Sequence, residues 1–394
     1  MKDFEDAGLG LGLHLLTATI KDLQHALNDG KVTSVQLVQA YLNRIEANNQ
    51  QGLELRAVVE TAPVELLMEI ARGRDEMRAN RALIGPLHGV PILVKDNIAT
   101  HPALGMNTTA CSYALLKSIV AEDATVIAKL RSAGAIILGK ATMNEFANLK
   151  AFNAIEGWSA RGGKGRSAYD TGEYGEQGAK PSGSSSGSAI AVSAGFAPAA
   201  LGSETSGSLI SPAGRAAAYT LRSTVGLVSR YGTIPGCKSF DTIGPIAKST
   251  WDVALLLGCM AGLDSKDEAT QEAEYPINKD YTQFTYLPHA TFKGKRLGYP
   301  RNGAFDLDIP WGNDSVRSPA IKAALEEALK KMESLGATVC DQAEIPSLPE
   351  WKALATATPK FALNIIAHEF KEDIETYLAT MQSAEVRNLQ DIIE

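Results

Sequence analysis

Between Ala124 and Lys140 the chain switches from helical to extended character across a single residue. Ala124 to Ala133 carries apolar residues at helical spacing, and Gly134 stops it. Ala135-Ile136-Ile137-Leu138 then follows as a short, continuous apolar run of the kind that forms a core strand. The same order recurs elsewhere. Val64 to Met77 reads as a helix and Val90 to Val94 as a strand. Ser318 and Pro319 start a helix with Ile321, Leu325, Leu329 and Met332 on one face; Gly336 stops it and the strand Ala337-Thr338-Val339-Cys340 follows. Helices alternating with short apolar strands predict a single α/β/α sandwich around a central mixed β-sheet, spanning residues 1–394 as one domain. Two stretches lack periodicity: Trp158 to Lys180, expected to be an exposed loop, and 265–290, whose polar, acidic start marks a surface linker or excursion.

Composition narrows the partners. The formal net charge is −7 with the acidic residues spread along the chain, which argues against a nucleic-acid surface as the main function. Leu9 to Leu16 is too short and too interrupted by glycine to span a membrane, and Met1-Lys2-Asp3-Phe4 lacks the basic start of a signal peptide. Cys111, Cys237, Cys259 and Cys340 lie far apart with no C-x-x-C pair, so they read as reduced thiols, and the expected compartment is the cytoplasm.

The chemistry should lie where Ser182-Gly183-Ser184-Ser185-Ser186-Gly187-Ser188 runs into the apolar segment Ala189-Ile190-Ala191-Val192. A Ser/Gly loop that opens a helix presents hydroxyls and free backbone N–H groups where an anion or oxyanion is stabilised. Taken literally, Gly183 to Gly187 spells G-x-S-x-G, with Ser185 as nucleophile and His289 or His368 as base; the polar stretch Gly172 to Lys180 before it is a poor elbow strand. Gly134 and Gly139-Lys140 have the spacing of a phosphate-binding loop, but Ala141 stands where Ser or Thr should hold magnesium. A histidine-free alternative uses a lysine as base, which requires burial to lower its pKa. Lys95, at the end of Pro91-Ile92-Leu93-Val94, has the apolar run for this, although a strand-end lysine also serves as an ordinary surface charge.

Three blocks now stand in order: Gly89-Val90-Pro91-Ile92-Leu93-Val94-Lys95-Asp96-Asn97, the loop Gly183 to Ser188, and Gly202-Ser203-Glu204-Thr205-Ser206-Gly207-Ser208. With Ser184 and Ser208 24 positions apart, they resemble the amidase signature family. The similarity continues through Asn144-Glu145-Phe146 and Asp241-Thr242-Ile243-Gly244-Pro245, and is nearest to peptide-amidase and fungal-type members. The resemblance implies Ser208 as acylated nucleophile, Ser184 after a cis peptide bond as proton relay, and neutral Lys95 as base. It further implies an oxyanion hole from the backbone N–H groups of Thr205, Ser206, Gly207 and Ser208. The implied activity is hydrolysis of a linear carboxamide, small or peptidic, through an acyl-serine, with no metal and no organic cofactor. The family's other forms are an inactive truncated homologue and an amidotransferase-type subunit. This chain departs from the pattern at Ile210, where arginine is common, and at Ser206, where glycine or an acid is. The family's domain continues past the equivalent of Ile393-Glu394, so the last sheet and helix elements are expected to be missing.

Overall fold

The computed structural model describes residues 13–150, 155–170, 180–272, 280–286, 291–300, 319–341, 343–358 and 361–394. Two capped helices open it. Thr19 precedes α1 (Ile20–Asn28) and Thr33 precedes α2 (Ser34–Asn48); each threonine hydroxyl accepts from a backbone N–H three residues on, while Asp22 and Gln36 reach back in a capping box. There follow β1 (Val58–Thr61), α3 (Val64–Ala79), β2 (Pro91–Lys95), α4 (Thr125–Ser132) and β3 (Ile136–Ala141). A small hairpin, β4 (Trp158–Ser159) and β5 (Gly163–Lys164), precedes α5 (Ser186–Ser193), β6 (Ala199–Glu204), α6 (Ile210–Arg215), β7 (Tyr219–Thr220), β8 (Thr242–Ala247) and α7 (Thr250–Met260).

Six of these strands form one mixed sheet in the order β1-β3-β2-β6-β8-β7. The central three, β3, β2 and β6, run parallel, whereas β1, β8 and β7 pair antiparallel with their neighbours. Every residue of β2 and β3 is buried, the pattern of strands covered on both faces. In open sheets of this kind ligands bind beyond the carboxyl ends of the parallel strands, and β2 ends at Lys95.

The contacts cluster into two units, one holding the described chain up to Thr285 together with Ile366–Glu394, the other Tyr286–Ile365. In the second unit β9 (Arg296–Tyr299) pairs parallel with β10 (Thr338–Asp341) beside α8 (Pro319–Ser334), and Trp351 of α9 (Leu348–Ala357) meets Phe361 edge to face. Phe361 begins α10 (Phe361–Leu378), whose later residues belong to the first unit, as does α11 (Leu389–Ile393). Phe370, Ile374 and Tyr377 of α10 join Cys111, Met143, Phe146 and Ile234 in a separate apolar cluster. Among the described residues no helix is long and apolar enough to cross a membrane.

Two stretches differ from the sequence reading. Within Trp158 to Lys180, the residues around β4 and β5 are fixed: Ser159 is buried, and Arg161 donates to Thr109 Oγ1 (2.8 Å) and faces Glu60. These partners are distant in sequence, so local periodicity carries no trace of them; 171–179 lie outside the described residues. At the start of 265–290, Asp267 and Thr270 are buried, and Asp267 accepts from the backbone N–H and Nε of Arg230 (2.7 and 2.9 Å).

α5 is buried from Ser186 to Val192, which its small residues permit. A Cβ on Gly187 would lie 2.4 Å from the carbonyl oxygen of Ala57 and 2.5 Å from the backbone N and O of Thr142, so the helix start touches the ends of β1 and β3 through glycine alone. Gly187→Ala should therefore destabilise the chain by about 3 kcal/mol, read from urea unfolding; a loss under about 0.5 kcal/mol, the range of neutral surface changes, would contradict this close approach.

Candidate active site

At the carboxyl end of β2 the side chain of Lys95 is wholly buried. Its Nζ lies 2.8 Å from Ser184 Oγ, 2.9 Å from Ser203 Oγ and 3.0 Å from the carbonyl oxygen of Ser203. Ser203 belongs to β6, the parallel neighbour of β2, and Ser184 lies in the Ser/Gly loop just before α5. Asn97 Nδ2 donates to Ser203 Oγ (3.0 Å), so the hydroxyl that holds the amine is itself held. Burial pulls the Lys95 pKa down to about 7, against the attraction of Asp241 and Glu204, which raises it. The amine is therefore neutral above that pH and able to take a proton from Ser184.

The Gly183–Ser184 peptide bond is cis. Ser185, the centre of the G-x-S-x-G reading, is fully buried; its Oγ donates to the Ser203 carbonyl (3.0 Å) and accepts from the Ser203 N–H (3.3 Å). Of the two histidines proposed for it, His368 is exposed on α10 and His289 lies outside the described residues. Ser185 thus acts as a bolt between the first loop and β6.

The second loop, 205–208, meets the first through the backbone: the Ser185 N–H donates to the Ser208 carbonyl (3.2 Å). The Ser208 hydroxyl is half-buried and has no hydrogen-bond partner among the described residues, so the structure joins Lys95 to Ser184 directly but Ser208 only through its main chain. Among the described residues the N–H groups of Thr205, Ser206, Gly207 and Ser208 are likewise unused. The next two are not: the carboxylate of Glu204 accepts from Leu209 N–H (2.7 Å) and Ile210 N–H (3.1 Å) and faces Arg222 Nε (3.1 Å). Gly207 has φ +89°, a conformation that turns the chain back toward α6 and suits glycine. At the loop's other end Thr205 Oγ1 donates to the half-buried carboxylate of Asp241, which also accepts from the N–H groups of Gly236 (2.7 Å) and Cys237 (3.0 Å).

A cavity of about 210 Å³ opens beside these groups, with Ser184, Ser203 and Thr205 on its wall and Phe146, Ile234 and Tyr377 opposite in character. The wall does not reach Ser208. The family resemblance named Lys95, Ser184 and the 205–208 loop; it assigned no part to Ser203, Glu204 or Asp241, and none to α10. The usable signal was an acid, Glu204, at the end of an apolar strand, which the fold makes a cap for the following turn. Among the described residues no cluster of His, Cys, Asp or Glu has the makings of a metal site.

If burial governs Lys95, its NMR titration should show a midpoint near 7. Replacing Asp241 with Asn removes a charge that favours the ammonium form and should move the midpoint lower still. A midpoint in the ordinary lysine range, near 10.4, would overturn this account of the site.

The family profile described as Amidase matches residues 36–393. A probable amidase of Arabidopsis thaliana is 38% identical over 377 residues, covering 95% of this chain and 67% of the relative. A glutamyl-tRNA(Gln) amidotransferase subunit of Carboxydothermus hydrogenoformans is 36% identical over 355 residues, covering 88% and 65%. This chain thus spans about two thirds of the length of both. Among solved structures, native peptide amidase from Stenotrophomonas maltophilia superposes with a TM-score of 0.82 at 36% identity, over 98% of this chain and 72% of that one. With a profile match over nearly its whole length and a shared mixed-sheet fold, the chain belongs to the amidase signature family.

Proposed function

We propose that this chain hydrolyses the C–N bond of a linear carboxamide through an acyl-serine. The observation that carries the reading is the contact of the buried, readily deprotonated Lys95 with Ser184. Neutral Lys95 accepts the proton of Ser184 Oγ, Ser184 accepts that of Ser208 Oγ, and Ser208 attacks the amide carbon. Hydrogen bonds in such relays tighten when substrate is bound, so the open position of the Ser208 hydroxyl is compatible with this role. As the carbonyl oxygen becomes an oxyanion, the unused N–H groups of residues 205–208 stabilise it; one such donor is worth about 3 kcal/mol. The proton returns through Ser184 to the departing nitrogen, the C–N bond breaks, and water, activated by the same relay in reverse, releases the acid and restores Ser208.

A second reading has support in the similarity to a glutamyl-tRNA(Gln) amidotransferase subunit. There the same acyl-serine would form from glutamine and the ammonia would pass to a partner. Ammonia release from glutamine that exceeds release from simple amides would favour it.

Ser208→Ala should lower kcat/KM on a hydrolysed amide by at least about a thousandfold; equal activity in parent and variant would remove Ser208 from the mechanism. The pH dependence has a definite sign. The base works deprotonated, so kcat/KM should hold above about 7 and fall about tenfold per pH unit below it. A flat profile down to about pH 5 with the fold intact would exclude Lys95 as base.

A further inference from the structure

We infer that the cavity beside Ser184 accepts an uncharged acyl group and discriminates against a carboxylate or ammonium carried on it. The inference deepens the proposed hydrolysis and rests on reading this cavity as the acyl pocket. Its volume of about 210 Å³ lies below the roughly 300–1,000 Å³ of pockets that enclose a drug-sized ligand. The space suits a group the size of one side chain. Ala110, Met143, Phe146, Ile234 and Tyr377 supply an apolar lining.

The charged side chains on the wall are already engaged by other groups of the protein. Arg230 is chelated by Asp267, which takes its Nε (2.9 Å) and its backbone N–H (2.7 Å). Lys238 faces Asp373 (Nζ to Oδ1 3.5 Å), and Asp373 also accepts the Lys238 backbone N–H (2.8 Å). Lys266 reaches Glu122 (2.5 Å), to which Tyr231 Oη also donates (2.8 Å). Asp241 is occupied by Thr205, Gly236 and Cys237. Thus every acidic or basic side chain on the wall among the described residues has an internal partner. Nor does position 210 supply a cation, since Ile210 is half exposed beyond the Glu204 cap.

Among the described residues an entering carboxylate would lose hydration with no cation on the wall that lacks a carboxylate partner, and an ammonium would meet only carboxylates already hydrogen-bonded, Asp241 by Thr205 and two backbone N–H groups. To recruit Arg230, its pair with the largely buried Asp267 would have to break; Lys238 and Lys266 are about half exposed and keep water as well as their partners. A neutral chain of the same shape loses only unfavourable contact with water. The free amino acid glutamine, charged at both ends of its α-carbon, falls on the disfavoured side.

The test compares amides matched in heavy-atom number: 4-methylpentanamide with its carboxylate counterpart succinamate, and hexanamide with 5-aminopentanamide, with L-glutamine alongside. Calorimetric dissociation constants on the intact chain carrying Ser208→Ala, its circular dichroism matched to the parent, isolate binding from turnover. Neutral members should bind roughly 10- to 100-fold more tightly than their charged counterparts. Equal affinity within either pair, tightest binding of glutamine, or no binding of either neutral amide would overturn the inference. Ammonia release by the parent chain is scored separately. Selective binding with no release from any amide leaves the inference standing and removes the hydrolase reading; release without charge preference does the reverse.

Discussion

An amine with no exposed surface, 2.8 Å from a serine hydroxyl at the end of a central strand, sets the terms for the rest of the molecule. Protonated, Lys95 would be a buried cation, and the loss of hydration outweighs the pull of Asp241 and Glu204, so its pKa falls to about 7. That balance requires both acids to be engaged elsewhere. Glu204 is turned onto the N–H groups of Leu209 and Ile210 and onto Arg222; Asp241 is turned onto Thr205, Gly236 and Cys237. Were either carboxylate free to approach Lys95, a stable ion pair would replace a base.

The same two acids shape the loop that carries Ser208. By taking Leu209 and Ile210 N–H groups, Glu204 fills the donor positions a helix start leaves open. The four N–H groups before them are left without a hydrogen-bond partner among the described residues. Asp241 holds the loop's beginning through Thr205, and Ser185 ties the first Ser/Gly loop to β6. Two loops rich in glycine would otherwise sample many conformations, and ordering them costs about 1–2 kcal/mol per residue. Side-chain hydrogen bonds from Ser185 to Ser203 and from Thr205 to Asp241 meet that cost.

Part of the cavity wall comes from a different stretch of the chain. The later half of α10 brings Asp373 and Tyr377 to the cavity, and Phe370 packs edge to face on Phe146, 6.3 Å between ring centroids. Glu369 accepts from Cys237 Sγ (2.9 Å) and from the N–H of Ser239 (3.0 Å), fixing this helix to the loop that contains Asp241. A helix more than a hundred residues from the Ser/Gly loops therefore forms one wall of the pocket. The wall thus joins Ser184 and Ser203 with Asp373 and Tyr377 from a distant part of the chain.

Local patterns determined much on their own. The apolar runs at β2 and β3, the small-residue helix α5 after the Ser/Gly loop, and the stops at Gly30, Gly134 and Gly336, each at positive φ, are written in periodicity and backbone chemistry. That a lysine ending an apolar strand belongs with two serine loops came instead from the resemblance of three ordered blocks to the amidase signature family. Only the tertiary structure decided which hydroxyls that lysine meets, because Ser184 and Ser203 reach it through the parallel pairing of β2 with β6 and the placement of α5. Tertiary structure also made Ser185 a structural bolt and Glu204 a cap, drew Arg161 of an unpatterned stretch onto Thr109, and matched Arg230 with Asp267. Sequence periodicity records how a segment faces the core, within a few residues; a hydrogen bond between groups a hundred residues apart is fixed only when the sheet order brings their strands side by side.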